Sequence, residues 1–538
     1  MFESVIEGWL DQLLERDFDE PLLAILRSRG FADIHYTHGP YEFGKDFVAK
    51  LKLTDETHQY GIQCKAGDIG GAEFDSIRGQ LDELTSSRLA HPSYDAALPK
   101  KHVLLTTGRL KGKAIQSAKD VAERIRSRKE GEFLVWDRET LIDFISTSDP
   151  MRFGPSLSPQ IVPLLGKLVG TTSTHRDLER WSRVLLPPAD SDLKSFSIAL
   201  LQNAVCAQLL MRMGRPLHAL SIALNGIRVA SVSVYSKSLT GEERRDLVTR
   251  ACLGYLATGK SGMASAMENL HDPRAMLNWS ECGPGAIVAY PTCCSRLLEY
   301  LGIACLFCRA RGLDDEAANY GDQLRIVALH QPGASHPISN RYAAHVALGI
   351  LGLLSSGYVD EARKLLVETT IWLCDHHEQD ASGLAGAYAL PEEEVAYLLG
   401  GPFECIPVCQ RTHSILALAL CDAAYIFFPD IYSDVLNEIL AVDITPHGLH
   451  APDSAVGMTV DGEGTQDLLN PPYPEQAGDS PLPHHEGLQP LPRDLEGPIG
   501  PLLPVAMACL TQDRLFSDVY PRFTFARHLA RRPVGAGP

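Results

Sequence analysis

The sequence predicts two folded parts and a tail: an α/β domain at the N-terminus with a mixed sheet flanked by helices, an all-α helical-repeat domain, and a Pro/Gly-rich C-terminal tail. Three observations carry this reading. Residues 1–150 switch repeatedly between helical and alternating apolar spacing. Residues 191–440 keep helical spacing throughout. From 441 to 538 the chain turns to Pro, Gly, Asp and Glu, as in Asn470–Pro474 and Ser480–His485, a composition expected to stay largely irregular. The stretch 151–190, rich in Ser, Thr, Pro and Gly, reads as a linker around one short apolar segment.

In the α/β part, Phe2–Leu14 and Glu20–Arg29 have helical spacing, and Gly30 closes the second helix. Phe31–Thr37 and Phe47–Leu53 alternate like strands, and Tyr60–Lys65 forms a third after the polar turn Thr54–Gln59. Ala72–Leu84 returns to helix, and His102–Thr107 is a continuous apolar run suited to a buried strand. Lys113–Arg128 is a helix, Glu132–Trp136 a strand and Glu139–Ile145 a last helix. The order is α-α-β-β-β-α-β-α-β-α.

In the helical part, Gly214, Gly259, Gly312 and Gly357 each precede an Ala by five positions, at intervals of 45, 53 and 45 residues. A Gly in a turn and a small residue on the next helix suit packed hairpins. Gly312–Ala317 and Gly357–Ala362 resemble the turn and second-helix start of tetratricopeptide repeats. The period is longer than in that family, so the expectation is tetratricopeptide-like hairpins over 191–440.

With 538 residues, 45% apolar and 22% charged, the chain is no disordered tract. A net charge of −18 excludes a generally basic nucleic-acid coat but not a local patch. Thirteen cysteines are too sparse for a disulfide scaffold, and they sit in apolar runs such as Ile303–Cys308. Met1–Glu7 lacks a signal-peptide pattern. The longest uncharged stretch, Tyr342–Val359, is broken by His345, Gly349, Gly352, Ser355 and Ser356. The expectation is a cytoplasmic protein without a membrane span.

The chemistry-bearing residues are Glu20, Asp46, Gln63 and Lys65. Asp46 opens a strand after the turn Gly44-Lys45, and Gln63 and Lys65 lie two apart on the next strand, hence on one face. A hairpin between the strands brings Asp46 to that face. Such a set can hold a hard divalent cation, Mg2+ or Mn2+, through the Asp46 carboxylate, the Gln63 carboxamide oxygen and the Cys64 backbone carbonyl. Lys65 would then orient water or stabilise charge on a phosphodiester.

The region from about residue 10 to 146 resembles the Mrr-like branch of the PD-(D/E)xK nuclease superfamily. The features occur in that branch's order: Glu20 ten residues before Gly30-Phe31, then Gly44–Val48, Gly61–Lys65, Val103–Gly108 and Phe133–Asp137. The resemblance implies that Asp46, Gln63 and Lys65 are the D–QxK core, that Glu20 is the helix acid completing the metal site, and that DNA is the substrate. It also implies a role in prokaryotic restriction or anti-phage defence. Glu42 stands where the branch often has glycines, either as an extra ligand or as a surface acid. Because one site cuts one strand, a homo-oligomer is expected, with the repeats pairing copies or receiving a protein partner or trigger. The alternative is a catalytically idle nuclease fold serving as a DNA- or protein-binding scaffold.

A basic stretch suits a phosphate-backbone partner. Between residues 100 and 129, Lys100, Lys101, Arg109, Lys111, Lys113, Lys119, Arg124, Arg126, Arg128 and Lys129 face only Asp120 and Glu123, a net +8. Gly254–Ser261 matches the phosphate-binding pattern GxxxxGK[ST], with Asp422 as a conceivable partner acid. The run before it has helical rather than strand character, so a nucleotide-gated effector is discounted. Cys293/Cys294, Cys305/Cys308 and Cys405/Cys409 lack a second ligand pair at zinc spacing and read as buried thiols.

Overall fold

In the computed structural model of the chain the described residues are 3–37, 44–54, 56–86, 91–157, 161–169, 184–188, 190–234, 236–279, 286–380, 383–384, 413–450, 467–469, 473–478 and 482. Glu42, Cys405, Cys409 and most of the tail therefore lie outside them. The chain divides into two compact units, one of residues 1–173 with 192–213, the other of 174–191 with 214–538.

The first unit follows the expected element order. Helix α1 (Glu3–Leu10) leads through a 3-10 turn (Glu15–Phe18) into α2 (Asp19–Ser28). Strands β1 (Ala32–Tyr36), β2 (Phe47–Leu53) and β3 (Glu56–Lys65) form an antiparallel meander, with Leu53 paired to Glu56 at the hairpin. The turn is thus tighter than expected, and Thr54 adopts a positive φ to make it. After α3 (Gly71–Ser86), strands β4 (Lys100–Thr106) and β5 (Glu132–Trp136) join parallel to β3, linked by α4 (Lys113–Ser127). The sheet order is β1-β2-β3-β4-β5, and α5 (Arg138–Thr147) closes the motif.

Alternation along the strands divides the core. On one side Leu104 and Phe133 pack with Phe74, Ile77, Leu81 and Leu84 of α3 and with Val121 and Ile125 of α4. On the other, the rings of Phe31, Tyr60 and Trp136 meet at centroid distances of 4.9–6.2 Å. Central strands buried on both faces explain the unbroken apolar run of β4.

The sequence reading ends this domain at 150 and places a linker over 151–190. In the structure α6 (Pro150–Leu157) and α7 (Ile161–Val169) occupy part of that stretch, and α8 (Leu193–Arg212) belongs to the same unit. Phe153, Ile161 and Leu165 supply the reason: each is at most 1% exposed, so a Pro- and Ser-rich stretch still carries enough apolar residues to dock. Helix α8 is also the one described helix long and apolar enough to cross a bilayer, and 72% of that window is buried within protein.

The second unit is helical, with hairpins Pro216–Ser233/Gly241–Gly262, Ala286–Ala310/Asp314–His330 and Ala343–Ser355/Val359–Asp380, then Ile415–Phe427 and Tyr432–Ala441. Gly312 and Gly357 close their helices at φ +70° and +86°, where Leu313 and Tyr358 donate back to the carbonyls of Cys308 and Leu353. Gly214 also has φ +70°. Gly259 breaks the expected repeat. It lies inside Gly241–Gly262, and Ala264 is exposed, whereas Ala219, Ala317 and Ala362 are buried. Gly259 serves packing: an added Cβ would fall 2.0 Å from Cε2 of Tyr300. Described tail residues make two short pairings, Thr445–Pro446 with His413–Ser414 and Gly448–His450 with Asp467–Leu469.

A buried polar network runs through this unit. Glu299, 1% exposed, accepts from Tyr255 Oη at 2.9 Å and from Arg296 at 2.8 Å, with His345 Nε2 also at 2.8 Å. Arg296 donates onward to Ser221 Oγ at 3.1 Å. Burial opposes its charge, but Arg296 and the other donors hold the Glu299 carboxyl below its ordinary pKa, while burial pushes His345 down.

Candidate active site

The turn before β2 shapes the site. Gly44 has φ +67°, and a Cβ there would sit 2.2 Å from the Gln80 carbonyl oxygen of α3, so only glycine fits. Lys45 and Asp46 then diverge. The Asp46 backbone is locked between strands, its N–H donating to Ile62 O (2.8 Å) and its carbonyl accepting from Thr37 N (2.9 Å). Its side chain, in a residue only 7% exposed, accepts at Oδ2 from Gln63 Nε2 (2.7 Å) and from the Cys64 amide (2.6 Å). The hairpin thus brings Asp46 to the QxK strand. For Cys64 the atom tied to Asp46 is the amide N–H rather than the carbonyl expected as a ligand.

Lys65 ends β3 on the same strand face as Gln63 and is mostly buried. Its Nζ lies 3.3 Å from both carboxylate oxygens of Glu15, in the 3-10 turn ahead of α2. Asp19, the first residue of α2, accepts a hydrogen bond from Tyr36 at the end of β1. Burial first, then the fields of Asp46, Asp19 and Glu15, pushes the Cys64 thiol well above its ordinary pKa. The thiol under these fields stays protonated, so Cys64 is no thiolate nucleophile. Burial and the same Asp19 raise Tyr36 to about 12.

Glu20 is exposed on the first turn of α2 and makes none of these bonds. The acids whose fields reach Cys64 are Asp46, Asp19 and Glu15. Successive helical residues point about 100° apart, so when Asp19 faces the strand ends Glu20 faces solvent. Sequence reasoning missed Glu15 and Asp19. The available signal was the acid-rich run Glu15–Glu20, in which periodicity alone does not choose a member.

Lys45 takes the opposite course. It is fully buried, its Nζ 3.4 Å from the Glu83 carbonyl and 6.0 Å from the Tyr94 ring centroid. Burial, then Lys100, draws its ammonium down to about 8.

The basic stretch is largely occupied by acids from elsewhere. Arg109 binds Glu139 (2.6 Å) and Glu7 (3.1 Å), Lys113 binds Asp75 (3.3 Å) and Arg124 binds Asp82 (2.6 Å). Lys101 pairs with Glu132 and Lys111 with Asp68. Lys119 is exposed on α4, and Lys100 is half-buried at the start of β4.

Gly254–Ser261 lies within a continuous helix capped far upstream by Thr240 and Glu243. Its interior amides are used by the helix ladder, so they cannot cradle a phosphate as a helix start can. Asp422, fully buried, lies in helix Ile415–Phe427 and accepts from Tyr473 Oη at 2.5 Å. The described cysteines are buried free thiols.

Among the described residues no group of three or more His, Cys, Asp and Glu side chains is gathered closely enough to hold a metal ion. The donor set at Asp46 is nonetheless right in kind for Mg2+. The Asp46 carboxylate and the carboxamide oxygen of Gln63 are hard donors, and that ion is commonly held by one or two carboxylates plus substrate phosphate and water.

Residues 10–145 match the family model Mrr_cat, described as restriction endonuclease. No curated protein and no solved structure matches the chain. The match and the mixed five-stranded sheet identify a restriction-endonuclease-like nuclease domain at the N-terminus.

Proposed function

We propose that the chain is an Mg2+-dependent endonuclease that hydrolyses DNA phosphodiesters at Asp46, Gln63 and Lys65. The observation that carries this reading is the shared bond at Asp46 Oδ2, which joins the aspartate to both Gln63 and the Cys64 amide one residue from Lys65. Asp46 and Asp19 would hold the cation, with the Gln63 carboxamide oxygen beside them. The ion would supply Lewis-acid stabilisation of the phosphate and a more acidic water. Gln63 and the Cys64 N–H fix the Asp46 carboxylate, so no reorganisation is needed when substrate arrives. Lys65 places a positive charge against the phosphate oxygens as charge develops on them, and Glu15 holds that ammonium in position. The exposed ion pairs of the basic stretch are individually weak, so Lys111, Lys113 and Arg124 can exchange carboxylates for DNA phosphates, with exposed Lys119 adding its charge.

Two copies acting together would cut both strands. The resemblance of the nuclease domain to restriction enzymes supports a cytoplasmic role in prokaryotic defence. Incubation of the full chain with supercoiled plasmid, with Mg2+ and with EDTA, tests the central claim. Nicked or linear product in Mg2+ alone is the expected result. Plasmid left intact in both would overturn it.

A further inference from the structure

The acid-bearing turn is held from outside the region that matches the nuclease family. Asp17, at its centre, accepts at Oδ2 from the Leu14 amide (3.1 Å), which ties the turn to itself. The same oxygen accepts from Lys194 Nζ at 2.7 Å. Lys194 stands on the first turn of α8, 49 residues past the end of the family match at 145. That helix is firmly seated: Gln208 near its other end donates to the Ser146 carbonyl at 2.7 Å, and Phe196 and Leu200 are buried. Phe18, the last residue of the turn, is buried against Trp9, which also packs edge-on to Phe153 of α6. The turn carrying Glu15, and leading directly into Asp19, is thus bound to helices that the nuclease domain match does not include.

We infer that Lys194 is a positioning residue of the nuclease site, acting through Asp17 to hold Glu15 against Lys65 and to fix the start of α2 that carries Asp19. This rests on the nuclease reading above. It makes the working catalytic unit run to the end of α8 rather than to residue 150. The pair is partly exposed, at 40% and 29% of the side chains, so its contribution to overall stability is small and its effect is geometric.

The test uses the full chain and four variants: Lys194→Met, Lys194→Arg, Asp17→Asn and the double variant Lys194→Met/Asp17→Asn. Plasmid cleavage in Mg2+ gives kcat and KM, hydrogen exchange of the peptide spanning residues 11–20 reports the turn, and Tm reports stability. Removing a restraint of this kind shifts the turn's equilibrium by about fivefold at most, so Lys194→Met should lower kcat by up to roughly that factor. KM and Tm should change little, and exchange at 11–20 should quicken. Asp17→Asn, which keeps the acceptor for Leu14, should behave alike, and the double variant should be no worse than either. Lys194→Arg should recover most of the rate. Full activity in Lys194→Met, unchanged exchange at 11–20, or losses that multiply in the double variant would each overturn the inference. A wild type that leaves plasmid intact removes the nuclease reading instead. Exchange at 11–20 then decides by itself whether Lys194 anchors the turn.

Discussion

Replacing Lys45 by Met should stabilise the first unit at neutral pH. The side chain is fully buried, and a folded-state pKa drawn from 10.5 to about 8 corresponds to about 3 kcal/mol of stability lost while the amine must stay charged. The pH dependence follows from the direction of the shift. Below about 8 both folded and unfolded states are protonated, so the penalty is complete. Between about 8 and 10.5 the folded state has released a proton that the unfolded state still binds, so stability rises with pH. Above 10.5 both are neutral and the penalty is gone. Met has similar length and no charge, so Lys45→Met should gain up to about 3 kcal/mol at pH 7 and match wild type near pH 11. Urea titration read by alkylation of buried Cys64, located by mass spectrometry, follows unfolding of this unit apart from the second. A variant no more stable than wild type at pH 7, or an equal gain at every pH, would refute the burial argument.

Other outcomes follow from the same geometry. Asp46→Asn should lower cleavage about 100–1000-fold, because it removes a charge while keeping an acceptor for Cys64. Asp46→Ala should in addition cost about 1–3 kcal/mol of stability by stranding that amide, which makes Asn the cleaner test in paired activity and melting assays. Lys260→Ala should leave cleavage and ATP binding as in wild type, since Lys260 is an exposed residue within a helix. Gly259→Ala should lower Tm, because its methyl would overlap the Tyr300 ring and overpacking costs about 1–3 kcal/mol. Glu299→Ala should cost about 3–5 kcal/mol, as Arg296 would remain buried without its acid, and denaturant unfolding measures it.

Much of the first unit was legible because each strand and helix carries its own periodicity. Phe47–Leu53 and Glu132–Trp136 are strands where the sequence reading puts them, and the meeting of Asp46 with Gln63 follows from a hairpin between adjacent strands. What stayed hidden depends on partners far apart in sequence. The charge of residues 100–129 read as an open basic surface because Asp68, Asp75, Asp82, Glu132 and Glu139 lie outside that window. The sequence reading named Glu20 and not Asp19, the acid that bonds Tyr36, because a helix phase must be known to within one residue, and the 3-10 turn that sets it has no periodic signature. The Gly-x4-Ala spacing treats Gly259 as a turn, yet the requirement there is room for Tyr300, a residue 41 positions later. Lys194 carries no local signal at all, since only packing brings it to Asp17.

The Glu299 network bears on how the second unit comes apart. In an ideal stack of hairpins each repeat touches only its neighbours, and terminal repeats can unravel while the middle persists. Here one carboxylate takes Tyr255 from the hairpin before it and His345 from the hairpin after it, while its partner Arg296 reaches back to Ser221. Detaching either flanking hairpin strands part of a buried ionic group, so the loss of one raises the cost of keeping the others. Melting should then be concerted across residues 216–380, with a single denaturant midpoint shared by probes at both ends rather than a staircase of partial transitions.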